Sequence, residues 1–143
     1  MIITDLGISG AHREALEKAG EAIPGPVRCR FLVDTGADTT IVKHEFAERA
    51  GLKLINDNLP IHGVGVDTTG RAYIGRIIFV ATSKIVPSVK HTVWIETQVA
   101  SGSLNLPADV IDGVIGRDVL MHFQLSYDGK SGQVRMRYHR PES

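Results

Sequence analysis

The chain has 143 residues, of which 43% are hydrophobic and 22% are charged. This composition is ordinary for a globular protein, and the length predicts one domain spanning residues 1–143. Sixteen basic side chains balance sixteen acidic ones. No positive field therefore favours nucleic acid or an anionic membrane, and we expect neither partner.

The single cysteine, Cys29, has no partner for an internal disulfide, which is typical of a reducing compartment. It alternates with apolar residues along a predicted strand and is interpreted as a small buried residue. The start of the chain has no basic leader followed by an apolar run of secretory length. The longest apolar run, Ile77–Ala81, is too short to span a bilayer. These features predict a cytoplasmic protein.

The first elements are predicted to be a short strand over 1–8 and a helix over 9–20. Ser9 suits the N-cap of this helix, and Gly20 suits its end. Its apolar stripe is thin, so we expect it on the surface of a β body or against a partner subunit. A strand over 27–34 follows.

The middle of the chain alternates strands with one more helix. A short strand is predicted over 39–42, and residues 44–50 form a helix that ends at Gly51. A hairpin follows, with its tip predicted at Asp67–Gly70, and a polar loop is predicted over 98–108.

The remaining strands are predicted over 59–66, 73–80, 89–97, 114–115, 123–127 and 134–138. In total, about nine short strands and three short helices are expected. They predict a mainly β fold, a small partly closed barrel.

One stretch carries an acid in an unusual place. An apolar run leads to Asp34, which enters a turn formed by Thr35, Gly36 and Ala37, and a second apolar run follows at once. A charge at the edge of a core is costly unless partners stabilise it. The position therefore indicates a task for Asp34.

A second motif lies at 112–120, where two apolar residues and Gly116 precede Arg117 and Asp118 at the start of a short helix. Together with the Asp-Thr-Gly-Ala loop and the hairpin between them, this motif resembles the signatures of the retropepsin-like aspartic proteases, which are retroviral proteases and their cellular relatives. An Asp-Gly turn in an unrelated β protein is the alternative. The resemblance covers about residues 27–127, with 1–26 as an N-terminal extension in which a helix separates Met1–Ile8 from the core.

The resemblance implies an aspartic endopeptidase in which two carboxylates share one proton, without a metal or other cofactor. The chain has one Asp-Thr-Gly loop, so the second acid must come from a second copy. We therefore expect a C2 homodimer with the catalytic residue Asp34 at the two-fold axis, acting on a peptide or protein substrate.

The neighbours of Asp34 take their roles from the same resemblance. Thr35 is expected to hydrogen-bond across the two-fold axis, and Gly36 to let the backbone approach the substrate. Ala37 stands where many relatives carry a hydroxyl residue. Without that donor the dyad anion is less stabilised, and we expect activity nearer neutral pH than in gastric-type enzymes. Asp38 either bonds the substrate backbone or pairs structurally with Arg117, and the structural pair is favoured.

The hairpin over 61–78 is the candidate flap, with Gly63, Gly65 and Gly70 as sources of flexibility. Val64 and Val66 either contact substrate or pack within the strand. The second functional candidate is a non-proteolytic dimeric peptide-binding module on the same fold. The six histidines show no metal-ligand spacing, and no Gly-x-Ser-x-Gly motif supports a serine hydrolase.

Overall fold

The computed structural model describes residues 1–63, 66–83, 85–102 and 110–140, with side chains described except at 61–63 and 66–68. The elements in these residues are β1 (Ile2–Ile8), α1 (Gly10–Lys18), β2 (Val27–Val33), β3 (Ile41–Val42), α2 (His44–Arg49), β4 (Lys53–Gly63), β5 (Val66–Thr82), β6 (Lys90–Ser101), β7 (Gly113–Ile115), α3 (Arg117–Leu120), β8 (Phe123–Tyr127) and β9 (Val134–Tyr138). The predicted mainly β fold with short helices is confirmed.

Six strands form a closed ring in the order β1-β2-β7-β3-β6-β5, because β5 also pairs with β1. β4 extends the sheet outside the ring by pairing with β5. The barrel is therefore closed where the sequence predicted partial closure. Closure leaves fewer strand edges without hydrogen-bond partners.

β1 corrects the expectation that the first eight residues lie apart from the core. Ile2–Leu6 pair with Phe31–Val27 of β2, and Asp5–Ile8 pair with Ile78–Gly75 of β5. Leu6 is completely buried. Helix α1 separates β1 from β2 only along the chain, because the helix lies outside the barrel and buries none of its residues.

The long strand β5 changes partner on one edge at Gly75. Ile74 pairs with Lys53 of β4, and Gly75 pairs with Ile8 of β1. A Cβ on Gly75 would lie 3.1 Å from the Gly7 carbonyl oxygen and 3.1 Å from the Leu52 side chain. The missing side chain thus lets two strands meet the same edge of β5.

The predicted hairpin tip and the predicted start of the polar loop were wrong. Asp67–Gly70 pair with His62–Leu59 inside the β4–β5 ladder, so they are not the hairpin tip. Thr68 and Thr69 are β-branched and suit an extended ladder. The predicted loop over 98–108 begins later, since β6 continues through Ser101, and residues 103–109 lie outside the described part.

The core fills the barrel and extends beneath α2. Its largest fully buried side chains include Phe31, Leu6, Ile77, Ile115 and Val42. Helix α2 adds Phe46 and Ala47 to the core. Strands β8 and β9 form a separate sheet, in which the Phe123 ring contacts the Tyr138 ring, and Phe123 also contacts Phe79 of β5 in the barrel. Among the described residues, no helix is long and apolar enough to cross a membrane.

Cys29 lies in this core. Burial, together with the negative charge of Asp112, raises the pKa of its thiol to about 12. A thiol of this kind stays protonated and is a poor nucleophile. The interpretation of Cys29 as a buried packing residue is confirmed.

Candidate active site

The barrel brings the two sequence motifs side by side. β7 lies between β2 and β3, pairing in parallel with the first and antiparallel with the second. The Asp34 backbone N–H donates to the Ile115 carbonyl at 3.0 Å, which continues the β2–β7 ladder by one residue. The loop from Asp34 to Thr40 therefore crosses the end of β7.

The start of this loop is a tight turn closed by Asp34 itself. Its Oδ1 accepts a hydrogen bond from the Gly36 N–H at 2.8 Å, and its carbonyl accepts one from the Ala37 N–H at 3.2 Å. Asp34 is half-buried, whereas Thr35 and Gly36 are exposed. The turn holds the carboxylate in one orientation at the protein surface.

Arg117, the first residue of α3, holds the outer side of the loop. Its Nη1 donates to the Thr35 carbonyl at 2.9 Å, and its Nη2 forms an ion pair with Asp38. Its backbone N–H donates to the Ala37 carbonyl at 2.8 Å. The pairing of Asp38 with Arg117, which the sequence favoured, is present in the structure.

Gly116 allows α3 to approach this closely. A Cβ at this position would lie 2.8 Å from the Ala37 carbonyl oxygen and 2.8 Å from the Thr39 carbonyl group. These are backbone atoms of the Asp34 loop, so they have little freedom to move away. The glycine of the second motif is required by this contact.

Thr40 and Asp118 form a connection that the sequence did not reveal. Thr40 is fully buried, and both its N–H and its hydroxyl donate to the Asp118 carboxylate, the hydroxyl at 2.7 Å. The Thr40 hydroxyl accepts in turn from the Gly116 N–H at 3.1 Å. The sequence shows Asp118 only as part of the second motif and Thr40 only as part of a predicted strand.

A second carboxylate, Asp112, ties the other end of β7 to β2. Arg30 donates to it through Nη2 at 3.0 Å, Nε at 3.1 Å and its backbone N–H at 2.8 Å. Burial raises the pKa of Asp112, but the Arg30 hydrogen bonds and charge outweigh burial, so the pKa is lowered overall. Asp112 is therefore a structural anion.

The predicted flap residues are described only in part. Gly63 and Val66 face each other at the end of the β4–β5 ladder, and Gly70 pairs with Leu59. Val64 and Gly65 lie outside the described residues. Across the described ranges, no group of three or more histidine, cysteine, aspartate or glutamate side chains is placed to hold a metal ion.

The barrel is closed and carries the Asp-Thr-Gly-Ala loop, and Gly116 and Arg117 pack against this loop. Together these features define a retropepsin-like protein. The chain belongs to the aspartyl protease family, whose model, described as "Aspartyl protease", matches residues 22–119. This confirms the family resemblance seen in the two motifs.

Among solved structures, the chain is similar to EIAV protease complexed with the inhibitor HBY-793. The two chains share 23% sequence identity with a TM-score of 0.40, over 67% of this chain and 75% of that chain. No curated protein matches the chain significantly.

Proposed function

We propose that the protein is an aspartic endopeptidase whose catalytic dyad consists of two Asp34 carboxylates, one from each chain of a homodimer. The observation that carries this proposal is that the chain has one Asp-Thr-Gly loop and that this loop lies at the protein surface. The loop backbone is bonded within its own chain, yet Thr35, Gly36 and Asp38 remain exposed. A second copy placed on these residues supplies the second carboxylate and covers the exposed loop.

In the proposed reaction, the two Asp34 carboxylates hold one proton between them. The ionised one takes a proton from water, and the protonated one donates to the oxygen of the scissile carbonyl as the water attacks. The tetrahedral intermediate then collapses: the carboxyl group that took the water proton passes it to the amide nitrogen, the C–N bond breaks and the amine leaves. The other carboxylate takes back a proton as the carbonyl re-forms, so the dyad again holds one proton. General acid–base catalysis of this kind contributes typically about 10²–10⁴-fold. Gly36, which has no side chain and is exposed, leaves room for an extended peptide beside the dyad.

The remaining parts of the site support this assignment. The Arg117 contacts with Thr35 and Asp38 keep the loop in place, so that few rearrangements accompany the reaction. The β4–β5 hairpin is proposed as the flap that closes over the peptide and excludes water. The one cysteine of the chain is buried and forms no disulfide, which supports a cytoplasmic location for the enzyme. We also propose that residues 1–143 form one domain.

A peptide-library digest of the wild type and the Asp34→Asn variant tests the chemistry. Asparagine keeps the shape of the turn but removes the ionisable group. We expect cleavage between about pH 4 and about pH 8 to fall by at least about 10²-fold in the variant. Pepstatin should inhibit the wild type.

The matched control is Asp5→Asn, which changes an acid of an exposed ion pair on β1 and should cleave like the wild type. Cleavage by Asp34→Asn at the wild-type rate would contradict the proposal. A wild type that binds library peptides without cleaving them would instead indicate the peptide-binding module.

Sedimentation velocity tests the quaternary structure separately. We expect a dimer under the conditions in which cleavage is measured. A strict monomer with full activity would rule out a dyad built from two copies of Asp34.

A further inference from the structure

The first two residues of α3 hold the catalytic loop from two sides. Arg117 contacts Thr35, Ala37 and Asp38 near the start of the loop. Asp118 contacts only the far end, at Thr40. The site described above uses the first set of contacts and leaves the second without a function.

Asp118 is surrounded by hydrogen-bond donors. Its carboxylate accepts from the Thr40 N–H at 3.0 and 3.1 Å, from the Thr40 hydroxyl at 2.7 Å and from the Val119 N–H at 2.9 Å. The Thr97 hydroxyl of β6 lies at 3.5 Å. One acceptor group thus joins the catalytic loop, α3 and β6.

Thr40 transmits this anchoring to the barrel. Its carbonyl accepts from the Ala100 N–H of β6 at 3.0 Å, and its hydroxyl accepts from Gly116 at 3.1 Å. Thr40 is fully buried, and its N–H relies on Asp118 for its hydrogen-bond acceptor. A buried N–H without an acceptor is unfavourable, so without Asp118 the end of the loop would move until the Thr40 N–H found another acceptor.

We propose that Asp118 is a positioning residue for the catalytic aspartate, acting through Thr40. This proposal rests on the proposed function of Asp34. The loop is held at its start by the hydrogen bond from Asp34 to Ile115 and at its end by the hydrogen bonds from Thr40 to Asp118, with the five residues 35–39 between these two anchors. Loss of the Thr40–Asp118 anchor would displace Asp34 relative to Asp34 of the second chain.

The expected effect falls on kcat more than on KM, because the dyad geometry matters most when the proton moves. A misplacement of about 1 Å can cost about 10²-fold in rate. We expect Asp118→Ala to lower kcat by roughly 10- to 100-fold, with KM changed less than about threefold.

Conservative variants separate positioning from charge. Asp118→Asn keeps an oxygen acceptor for the Thr40 and Val119 N–H groups, so its kcat should lie within about fivefold of the wild type. Thr40→Ser keeps the hydroxyl and should behave likewise, whereas Thr40→Val removes it and should lower kcat. Thr92→Val is the matched control, since Thr92 is exposed on β6.

Two readouts decide the question. The first is kcat per active site, titrated with pepstatin so that unfolded protein is not counted. The second is hydrogen exchange of residues 35–40, which we expect to become faster in Asp118→Ala and Thr40→Val while residues 2–8 stay unchanged.

Wild-type kcat per titrated site together with unchanged exchange over 35–40 in Asp118→Ala would overturn the inference. So would an Asp118→Asn variant as impaired as Asp118→Ala, since charge rather than hydrogen bonding would then be responsible. If the wild type itself cleaves no peptide, the proposed function fails, and the exchange experiment still decides whether Asp118 positions the loop.

Discussion

At the scale of single residues, Asp112 shows how one buried carboxylate joins two strands. Its side chain is 5% exposed and accepts three hydrogen bonds from Arg30, while its own N–H donates to the Arg30 carbonyl at 2.8 Å. These bonds favour the anion and lower the pKa of Asp112.

We predict that Asp112→Asn lowers the free energy of unfolding by about 2 kcal/mol near neutral pH, because hydrogen bonds to a charged group are lost. The folded-state pKa lies below the unfolded value, so this stabilisation is present above the unfolded pKa and is lost as pH falls through the folded pKa. The difference between wild type and variant should therefore shrink below about pH 4.

Urea unfolding at several pH values measures this difference. Asp5→Asn is the control, since the Asp5–Arg28 pair joins neighbouring strands but its arginine is 77% exposed. Such a pair contributes about 0–1 kcal/mol. Equal losses in the two variants would contradict the assigned role of Asp112.

Ala37 carries a prediction about the pH dependence of cleavage. The residue offers the Asp34 turn only its backbone, through the N–H donated to the Asp34 carbonyl. Because Ala37 has no hydroxyl donor, we predict that the pH–rate profile has its peak closer to neutral pH than to pH 4. Ala37→Ser should move the peak toward acid. A wild-type peak well below about pH 4 would contradict this prediction.

Residue-scale prediction from the sequence succeeded where the contact lies within a known motif. The Asp38–Arg117 pair was favoured from the two motifs and is present. The Thr40–Asp118 contact joins residues 78 positions apart. Nothing local in a β-branched run distinguishes a threonine that packs in a strand from one whose hydroxyl binds a carboxylate.

At the scale of elements, β1 is the strand whose role the sequence understated. It closes the ring between β2 and β5 and places Leu6 in the core. Its short length and the helix that follows it gave no local sign of its two partners. Strand pairing depends on residues far along the chain, so only the folded barrel reveals it.

We predict that Leu6→Ala lowers the free energy of unfolding by about 2–5 kcal/mol, because it opens a cavity where the ring closes. Ile3→Ala on the same strand should change it by less than about 0.5 kcal/mol, since Ile3 is 61% exposed. Thermal or urea unfolding of both variants measures the contrast. Similar losses at the two positions would mean that β1 does not contribute to the core as described.

The β4–β5 hairpin is an element that the sequence did predict, but with the wrong turn position. Its existence was predicted correctly, but the tip was placed at Asp67–Gly70, which belong to the ladder. A polar segment with glycine is typical of a turn, yet register is set by pairing along the whole strand. Composition located the hairpin and misplaced its end by a few residues.

At the scale of the whole molecule, the decisive feature is that one chain carries one Asp-Thr-Gly loop. If each active site needs Asp34 from two chains, an inactive copy should suppress an active one. We predict that mixing wild type with a tenfold excess of Asp34→Asn, after subunit exchange, lowers activity per wild-type chain to about a tenth.

Addition of the same excess of Asp5→Asn serves as the control and should not suppress activity. Cleavage is followed with one peptide substrate at fixed wild-type concentration. Activity that is unchanged by the Asp34→Asn copy after complete exchange would show that one chain is sufficient for catalysis.

The family, the mainly β class, the position of the Asp34 loop and the expectation of a second copy could all be read from the amino-acid sequence. These depend on short motifs and local periodicity, which are readable without coordinates. Only the folded chain shows that the barrel closes through β1, that Asp112 bonds Arg30, and that Asp118 holds the far end of the Asp34 loop through Thr40. Each of these depends on contacts between residues distant in the chain, which exist only once the chain has folded.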